Sequence, residues 1–379
     1  MYWIVFIFIA GCALFEIRNK RVNKSAFYTI FTILVLMTVL RQGQGTDYYN
    51  YMEIYKEVGV IAERTPLALL IMKDPLFSLI NYAFIQLGVD YKLFSAIFSF
   101  VIMMLLYRFY KTTCHRSAVA LFMLYATFYL VYPFSGIRQG LTMAIVLGIL
   151  YPLLKERRYC KYYTILFITS FIHQSVLICA LFPLVYRMRV RSSTLIFIGA
   201  ICTVVMVLGI NWIELLPLPD MISGRAEEYT EVSSSTKYLA MMVRMLVVFP
   251  TFLVSDKKYR ENPELNGIRN IIFMGFVVFA MLSFSDLIAS RMSIYFRMFE
   301  GLFIFLLLFH SGLKRLNMQI GVYYFFIACI LFTKDIGAFI SQGEYRNCNI
   351  ITYPYLTVFD DNQTIMYYRH NLSSADRIE

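Results

Sequence analysis

The chain has 379 residues, of which 59% are hydrophobic and 16% are charged, and its mean hydropathy is +0.62. This composition is too apolar for a soluble domain, so the lipid bilayer is the expected solvent. The formal net charge of +11 indicates positively charged cytoplasmic loops. A nucleic-acid-binding role is disfavoured because no basic stripe with interleaved aromatic residues lies outside the apolar segments.

Apolar segments recur from one end of the chain to the other. Most of them are long enough to cross a hydrocarbon core of about 30 Å as helices. They predict an all-α, polytopic transmembrane helical bundle, since the runs are continuous and lack the alternation of barrel strands. The ten clear segments are at about 2–16, 25–40, 92–109, 118–134, 140–154, 193–210, 238–255, 270–285, 292–312 and 319–341. Two ambiguous segments bring the expected total to about 11–12.

The first ambiguous segment, 75–89, is too short to be a clear membrane span. It carries Asn81 and Gln86, so we expect a re-entrant or interfacial helix. Positive charges set the orientation, because Lys and Arg accumulate in cytoplasmic loops. The loop after the first segment carries four of them between Arg18 and Lys24. The N-terminus and the loop 41–74 are therefore predicted to be external.

The second ambiguous segment, 162–186, has positive charges at both ends. Lys161 precedes it and three arginines follow it within residues 187–191. Both ends belong in the cytoplasm by the charge rule, so we favour a hairpin made by a helix broken near His173. The alternative is one long span, which would place the three arginines outside.

No composition shift, linker or internal repeat divides the chain. Residues 1–379 are therefore expected to form a single integral membrane domain. The acidic loop 211–237 and the tail 342–379 are predicted to be external, as is the loop 41–74.

Five polar side chains fall at or just inside the external ends of apolar segments. Charged groups at membrane depth are rare and usually functional, because hydrocarbon does not solvate them. Their position on one side of the membrane predicts a site for an anionic substrate carried by lipid. They are Arg41, Asp47, Arg138, His173 and Arg291.

Arg41 and Asp47 lie in a glycine-containing stretch that follows the second apolar segment. The planar guanidinium of Arg41 suits phosphate oxygens, and Asp47 can accept a proton. The alternative is an arginine that extends toward the headgroups and an ordinary helix-capping aspartate.

Arg138 falls where the next helix is expected to begin, between Gly136 and Gly140. Backbone N–H groups and the positive end of the helix dipole would reinforce it as an anion site. The alternative is an arginine placed at the membrane interface beside lipid headgroups.

His173 lies at the predicted helix break, followed by Gln174 and Ser175. A neutral imidazole can take the proton from an attacking sugar hydroxyl, because its pKa is near neutral pH. The alternative is a hydrogen-bonded packing residue.

Arg291 is expected at the external mouth, with Arg297 two turns deeper on the same helix. Arg297 either joins the phosphate site or pairs with Glu300 three residues later. Weaker candidates for contacts with sugar are Tyr48, Gln139, Tyr295 and Tyr353.

Several enzyme classes are excluded by missing motifs. The chain has no Walker loop, no dinucleotide-binding glycine motif, no HExxH and no GxSxG. Its seven cysteines are scattered singly, without metal-ligand spacing. We therefore expect no metal and no other cofactor, and a substrate that is already activated, such as a lipid pyrophosphate.

Short polar and aromatic motifs occur in a characteristic order along the chain. They are Arg41 with Gly45-Thr46-Asp47 and Tyr51, then Asp74-Pro75, Arg138-Gln139, Phe171-His173-Ser175, and Arg291 with Tyr295-Phe296. From about residue 25 to 310, this order resembles the EpsG family, which are Wzy-like polymerases of bacterial exopolysaccharide and O-antigen. One departure is Asp74, where the family tends to have glutamate.

The resemblance implies a GT-C-like glycosyltransferase of the bacterial inner membrane with its active site facing the periplasm or exterior. Such enzymes transfer a growing glycan from undecaprenyl pyrophosphate to a sugar hydroxyl of an incoming lipid-linked unit. Arg138 and Arg291 would hold the pyrophosphate, with Arg41 and Arg297 in support. Either Asp47 or His173 would be the general base. Besides membrane lipids, a chain-length regulator and a flippase are candidate partners.

Two alternative functions share these features. An O-antigen ligase would use the same donor but transfer the glycan to a lipid A core. A flippase, or another transporter of lipid-linked oligosaccharides, would also be polytopic, but it should show a repeat between its halves. A membrane acyltransferase is disfavoured because its site should be open to a cytoplasmic acyl donor.

Overall fold

The computed structural model describes residues 1–208, 234–310, 314–342 and 348–368, and these ranges are predominantly helical. The α-helices, in chain order, are α1 (Tyr2–Asn19), α2 (Lys24–Val39), α3 (Tyr48–Arg64), α4 (Pro75–Gln86), α5 (Tyr91–Thr112), α6 (Ala118–Leu124), α7 (Ile137–Ile145), α8 (Tyr151–Lys155), α9 (Tyr159–Ser170), α10 (Phe182–Arg187), α11 (Ser192–Leu208), α12 (Ser234–Val248), α13 (Asp256–Glu261), α14 (Pro263–Met281), α15 (Asp286–Arg297), α16 (Glu300–His310), α17 (Lys314–Gln342) and α18 (Asn362–Tyr368). Short 3₁₀ or π segments at Pro66–Ile71, Tyr125–Tyr129, Val146–Leu150, Gln174–Leu181 and Phe249–Phe252 connect or extend them. The predicted all-α class is confirmed.

Six of the helices in the described ranges are long and apolar enough to cross a membrane. Five shorter apolar helices accompany them, so the predicted polytopic architecture is also confirmed. The six are Tyr2–Asn19, Tyr91–Thr112, Ile137–Lys155, Pro263–Met281, Leu287–Phe309 and Met318–Ser341. Two of them are irregular: the π segment Val146–Leu150 interrupts Ile137–Lys155, and a short break between Arg297 and Glu300 interrupts Leu287–Phe309, in each case without ending the apolar run.

The two ambiguous segments are both interrupted or short. Helix α4 has 12 residues, which at 1.5 Å per residue is about 18 Å and less than a bilayer core. Helix α9 ends at Ser170, and Phe171–His173 are not helical before the 3₁₀ segment begins. The break predicted near His173 is therefore present, while the return of the chain as a hairpin stays a prediction.

Some predicted external regions fall largely outside the described residues. Most of the acidic loop 211–237 belongs to the stretch 209–233, which the structure does not describe. Of the tail 342–379, the structure describes residue 342 and residues 348–368.

Helix α14 begins well before the predicted start of its apolar segment at residue 270. Asn262 caps it by accepting from the Leu265 amide at 3.0 Å, and Pro263 at the first helical position has no N–H group and so needs no acceptor. The predicted apolar segment begins directly after the charged residue Arg269. In the structure that guanidinium is fully buried and donates to the carbonyl of Val190 at 2.7 Å.

By internal contacts the chain divides into two compact units, 1–174 with 328–379 and 175–327. In the first unit α1 packs against α6, and the Phe6 ring stacks on Phe332 with centroids 4.2 Å apart. Helix α5 packs against α2 and α7. Gly148 allows close approach there, since a Cβ at this position would lie 2.8 Å from the Leu105 carbonyl oxygen.

The C-terminal segment of the first unit folds back onto the start of α1 and the end of α2. Gln44 is fully buried and holds three segments together. Its Oε1 accepts from the Tyr2 hydroxyl at 3.0 Å and from the Leu356 amide at 2.9 Å, and its Nε2 donates to the Pro354 carbonyl at 2.7 Å. An isolated antiparallel bridge pairs Arg41 with Thr357 beside it.

In the second unit α14 is the central helix. It packs against α10, α11, α12, α15 and α16. Its glycines admit aromatic side chains: the Tyr186 ring lies against Gly267, and the Phe296 side chain lies against Gly275. A methyl group at either glycine would overlap the ring or its Cβ, so the close packing depends on these small residues.

Candidate functional site

Arg138 lies at the start of α7, as the sequence predicts. Gly136 is the N-cap residue, so Arg138 occupies the first turn of the helix. Its Nη1 donates to Asp74 Oδ2 at 2.5 Å. About 24% of the Arg138 side chain is exposed, compared with 3% for Asp74. The buried carboxylate of Asp74 thus holds the guanidinium on one side, while part of the Arg138 side chain stays accessible to solvent.

Two aromatic rings also contact this guanidinium. The Arg138 Cζ lies 5.2 Å from the Tyr51 ring centroid and 5.4 Å from that of Phe77. The two rings meet edge to face with centroids 6.0 Å apart, so they form a corner against which the guanidinium rests. Cation–π contacts of this kind favour a charged group over an aromatic face.

Asp74 precedes α4 as its N-cap residue, with Pro75 at the first helical position. Its side chain makes no capping hydrogen bond, because the carboxylate is directed to Arg138. Burial raises the pKa of the Asp74 carboxyl above its ordinary value, and the charges of Arg138 and Lys73 oppose this shift only in part. The carboxylate is therefore held in an environment that is costly for its charge.

Asp47 is brought to the same region by the turn that precedes α7. The Ser135 hydroxyl contacts Thr46 Oγ1 at 2.8 Å and accepts from the Asp47 amide at 3.3 Å. Asp47 is the N-cap residue of α3 and makes no side-chain capping hydrogen bond. Burial raises the pKa of Tyr51, with Arg138 opposing and Asp47 adding to the shift. Asp47, Tyr51 and Arg138 therefore belong to one electrostatic cluster.

The helix break that contains His173 lies beside the start of α4. The Leu76 amide donates to the Phe171 carbonyl at 3.0 Å, and Gln174 Nε2 donates to the Lys73 carbonyl at 3.2 Å. These two bonds place the half-buried His173 next to the segment that carries Asp74. Asp47, Arg138 and His173, separated widely in sequence, thus come to one region of the first unit.

Arg41 is in the first unit too, but it is directed inward. It is 5% exposed, and its Nη1 donates to the Thr38 carbonyl at 2.5 Å and to Ser99 Oγ at 2.9 Å. Its Cζ lies 5.1 Å from the Phe134 ring centroid. These contacts connect α2 to α5, and the supporting role of Arg41 toward pyrophosphate stays a prediction.

The remaining predicted arginines belong to the second unit. Arg291 is exposed on α15. Arg297 forms the expected pair with Glu300, with Nε to Oε1 at 2.7 Å, and Glu300 is 1% exposed. The arginine–glutamate pair is therefore confirmed as a contact. The binding of pyrophosphate by Arg291 and Arg297, and the gathering of all the predicted residues in one pocket, stay predictions.

The residues predicted to contact sugar are packed in the interior. Tyr48, Gln139, Tyr295 and Tyr353 are all less than 9% exposed. The Tyr295 hydroxyl pairs with Ser175 Oγ at 3.0 Å, and the Tyr353 ring packs at a tilt against Tyr2 with centroids 5.0 Å apart. Sugar contacts by these side chains stay predictions, and their observed contacts are those of core residues.

The sequence interpretation missed the groups that surround Arg138. Asp74, Tyr51 and Phe77 were not among the candidate site residues, although Asp74-Pro75 is a recognisable start of a helix. The partner of Arg138 is 64 residues away, and a single sequence carries no signal for such a pairing. Among the described residues, no group of three His, Cys, Asp or Glu is placed to hold a metal ion.

Comparison with known families gives a match that covers most of the chain. The sequence model described as the EpsG family matches residues 24–357. Comparison with curated proteins and with solved structures gives no match. The matched range includes Arg41, Asp47, Asp74, Arg138 and His173.

Proposed function

The chain belongs to the EpsG family of Wzy-like polymerases, and on that premise we propose that it polymerises lipid-linked oligosaccharide repeat units. The donor is a glycan on undecaprenyl pyrophosphate, and the acceptor is a sugar hydroxyl of a second lipid-linked unit. The family supports a polysaccharide polymerase role in a multi-pass membrane protein. We also propose the identity of this donor, and that the active site faces the periplasm or exterior of the bacterial inner membrane.

The proposed reaction is a glycosyl transfer that needs no nucleotide. The acceptor oxygen forms a bond to the anomeric carbon of the donor, and the bond from that carbon to the pyrophosphate oxygen breaks. Undecaprenyl pyrophosphate leaves with the bonding electrons, and a base takes the proton of the acceptor hydroxyl. The product is an O-antigen or exopolysaccharide chain that is longer by one unit.

The partly exposed guanidinium of Arg138 is the observation that carries this proposal. A pyrophosphate leaving group gains negative charge in the transition state, and a pre-oriented guanidinium stabilises that charge most strongly where water is largely excluded. Arg138 is oriented by Asp74 and by two aromatic rings, and its exposed part is available to an anion. We propose that Arg138 binds the pyrophosphate, with Arg41, Arg291 and Arg297 as the further predicted contributors.

Two side chains are proposed as alternative general bases. Asp47 and His173 both lie in the region of Arg138 and Asp74, so proximity supports each of them. A base of either type acts by accepting the proton of the acceptor hydroxyl as the glycosidic bond forms. Substitutions of Asp47 by Asn and of His173 by Gln, compared over a range of pH, distinguish them.

The test is a reconstitution with purified protein in lipid nanodiscs, supplied with lipid-linked repeat units and no nucleotide. A polymerase yields a ladder of longer glycans and releases undecaprenyl pyrophosphate in equal amount. Transfer only to an added lipid A core would instead identify a ligase. Movement of the unit across the membrane without a new glycosidic bond would identify a transporter, and either result would overturn the proposal.

A further inference from the structure

The ion pair between Arg138 and Asp74 uses one contact where two are available. Nη1 meets Oδ2, while Arg138 Nε and Asp74 Oδ1 are buried without a hydrogen-bond partner among the described residues. Leaving buried polar atoms unpaired is unfavourable, because they lose their hydrogen bonds to water without gaining others. A pair that served stability alone would be expected to adopt the bidentate geometry that Arg and carboxylate favour.

The burial of the two partners is unequal in a way that suits a ligand. Asp74 has 3% of its side chain exposed and is out of reach of a substrate, whereas Arg138 has 24% exposed. An anion arriving at this site would meet the guanidinium and not the carboxylate. Asp74 therefore acts through Arg138 if it acts on the reaction at all.

The surroundings restrict how the guanidinium can turn. Asp74 holds one end, and the rings of Tyr51 and Phe77 lie against it. Phe77 is itself fixed by an edge-to-face contact with Phe98 at 5.7 Å. Tyr51 lies in α3, Phe77 lies in α4, and Asp74 is the N-cap residue of α4, so each group that holds Arg138 is part of a helix or directly precedes one. Placement on regular elements favours a pre-oriented site.

We infer that Asp74 is a positioning residue that presents the guanidinium of Arg138 to the diphosphate of the lipid-linked donor. This inference rests on the proposed function for the identity of the donor. The carboxylate fixes the direction of the guanidinium before the ligand binds. Its neutral isostere leaves Arg138 charged but free to rotate away, so the loss is one of orientation and not of charge on the arginine.

The experiment measures binding of inorganic pyrophosphate to the purified full-length protein in nanodiscs. Asp74→Asn is expected to weaken this binding about tenfold or more, while the protein keeps the thermal unfolding midpoint and yield of the wild type. In the double variant with Arg138→Lys, the Asp74→Asn change is expected to add little, because the group that it orients is already altered. Asp90→Asn is the matched control: Asp90 caps α5 by accepting from the Leu93 amide at 2.8 Å, Asn also caps well, and binding should be unchanged.

A second variant covers the case in which Asp74→Asn does not fold. Tyr51→Leu removes one of the rings that contact the guanidinium while keeping an apolar side chain, and it should weaken pyrophosphate binding several-fold. Wild-type pyrophosphate affinity in Asp74→Asn, or in Tyr51→Leu when the first variant does not fold, would overturn the inference. So would a loss that adds in full to that of Arg138→Lys.

The binding assay separates this inference from the proposed function. If the wild type binds pyrophosphate more tightly than Asp74→Asn but does not elongate lipid-linked units, the polymerase proposal fails and the positioning role stands. If the wild type elongates these units and Asp74→Asn binds pyrophosphate as tightly as the wild type, the positioning role fails and the polymerase proposal stands.

Discussion

Gly45 lies directly against Ser135: a methyl group at the Cβ position of Gly45 would be 3.0 Å from Ser135 Oγ and 3.2 Å from its Cα. Gly45 also has a φ angle of +113°, a backbone conformation that residues with a side chain rarely adopt. The same Ser135 hydroxyl contacts Thr46 and the Asp47 amide. Close approach at Gly45 is therefore what holds Asp47 in the region of Arg138.

Gly45→Ala should displace the loop that carries Asp47. Because the added methyl group meets both steric overlap and an unfavourable φ, we expect glycan elongation to fall about tenfold or more, measured as ladder formation by reconstituted protein. Gly59→Ala is the control, since its Cβ would make an ordinary contact of 3.7 Å with Ile85 and lies within a helix. Equal elongation by the two variants would show that the position of this loop does not matter.

Arg138→Lys keeps the positive charge but removes the planar fork of donors. We expect elongation to fall about 10²-fold, the usual cost of losing one donor to a transition-state anion. Initial rates with lipid-linked units check this, with Arg64→Lys on the exposed end of α3 as the matched control. An Arg138→Lys variant that makes polymer of unchanged length at an unchanged rate would exclude the forked contact.

Glu16 is a fully buried carboxylate that fixes the start of α2 and of α6. Its oxygens accept from the Asn23 amide at 2.8 Å, the Ser117 hydroxyl at 2.8 Å and the Val119 amide at 3.2 Å. Glu16→Gln replaces one acceptor oxygen with a donor, so we expect a loss of about 1–3 kcal/mol in the free energy of unfolding. Thermal unfolding in detergent measures this loss. The control is Glu57→Gln at an exposed position, which should leave the unfolding midpoint unchanged. An unchanged midpoint in Glu16→Gln would contradict the anchoring role of Glu16.

Asp256 should give a pH-dependent contribution to stability. Hydrogen bonds from the Ser192 hydroxyl at 2.6 Å and amide at 3.0 Å, together with Arg269, hold the pKa of Asp256 below its ordinary value. A carboxyl group whose pKa is lowered in the folded state stabilises the protein at pH values above its unfolded-state pKa of about 3.9. That stabilisation is lost as the pH falls through the pKa of the folded state.

The comparison of Asp256→Asn with the wild type tests this sign. The difference between their unfolding midpoints should be largest near neutral pH and should shrink on acidification below about pH 4. Glu261→Gln, which removes a surface pair with Lys258 at 3.2 Å, should change the midpoint little at any pH. A difference for Asp256→Asn that stays constant from pH 7 to pH 3 would rule out the charge-dependent contribution.

Much of the architecture follows from the chain alone. Apolar runs of membrane-spanning length dictate helices, because a backbone in lipid must satisfy its hydrogen bonds within the segment. The break near His173 and the short helix at 75–86 were predictable from charge placement and length. The start of α14 was not, because the burial of Arg269 depends on the Val190 carbonyl, which another segment supplies, as well as on the Asn266 amide within α14 itself.

Some features of the candidate site could likewise be predicted from the sequence, and others could not. The sequence marked Arg138 and Asp47 because charged groups are conspicuous near the ends of apolar segments. Sugar contact by Tyr48 and Tyr353 stays a prediction, since whether an aromatic ring faces a ligand or the core depends on neighbours far away in the chain. Both rings pack on other tyrosines.

What the sequence by itself determined is the class of the protein: an all-α chain that spans the membrane several times and has its conspicuous charges near helix ends. Length and hydrophobicity are local properties, so they can be read from the chain. What only the tertiary structure decided is the partner of each charge, including Asp74 for Arg138 and Glu16 for the start of α6. Those pairings join residues 64 to 103 positions apart, and their geometry exists only once the helices have packed.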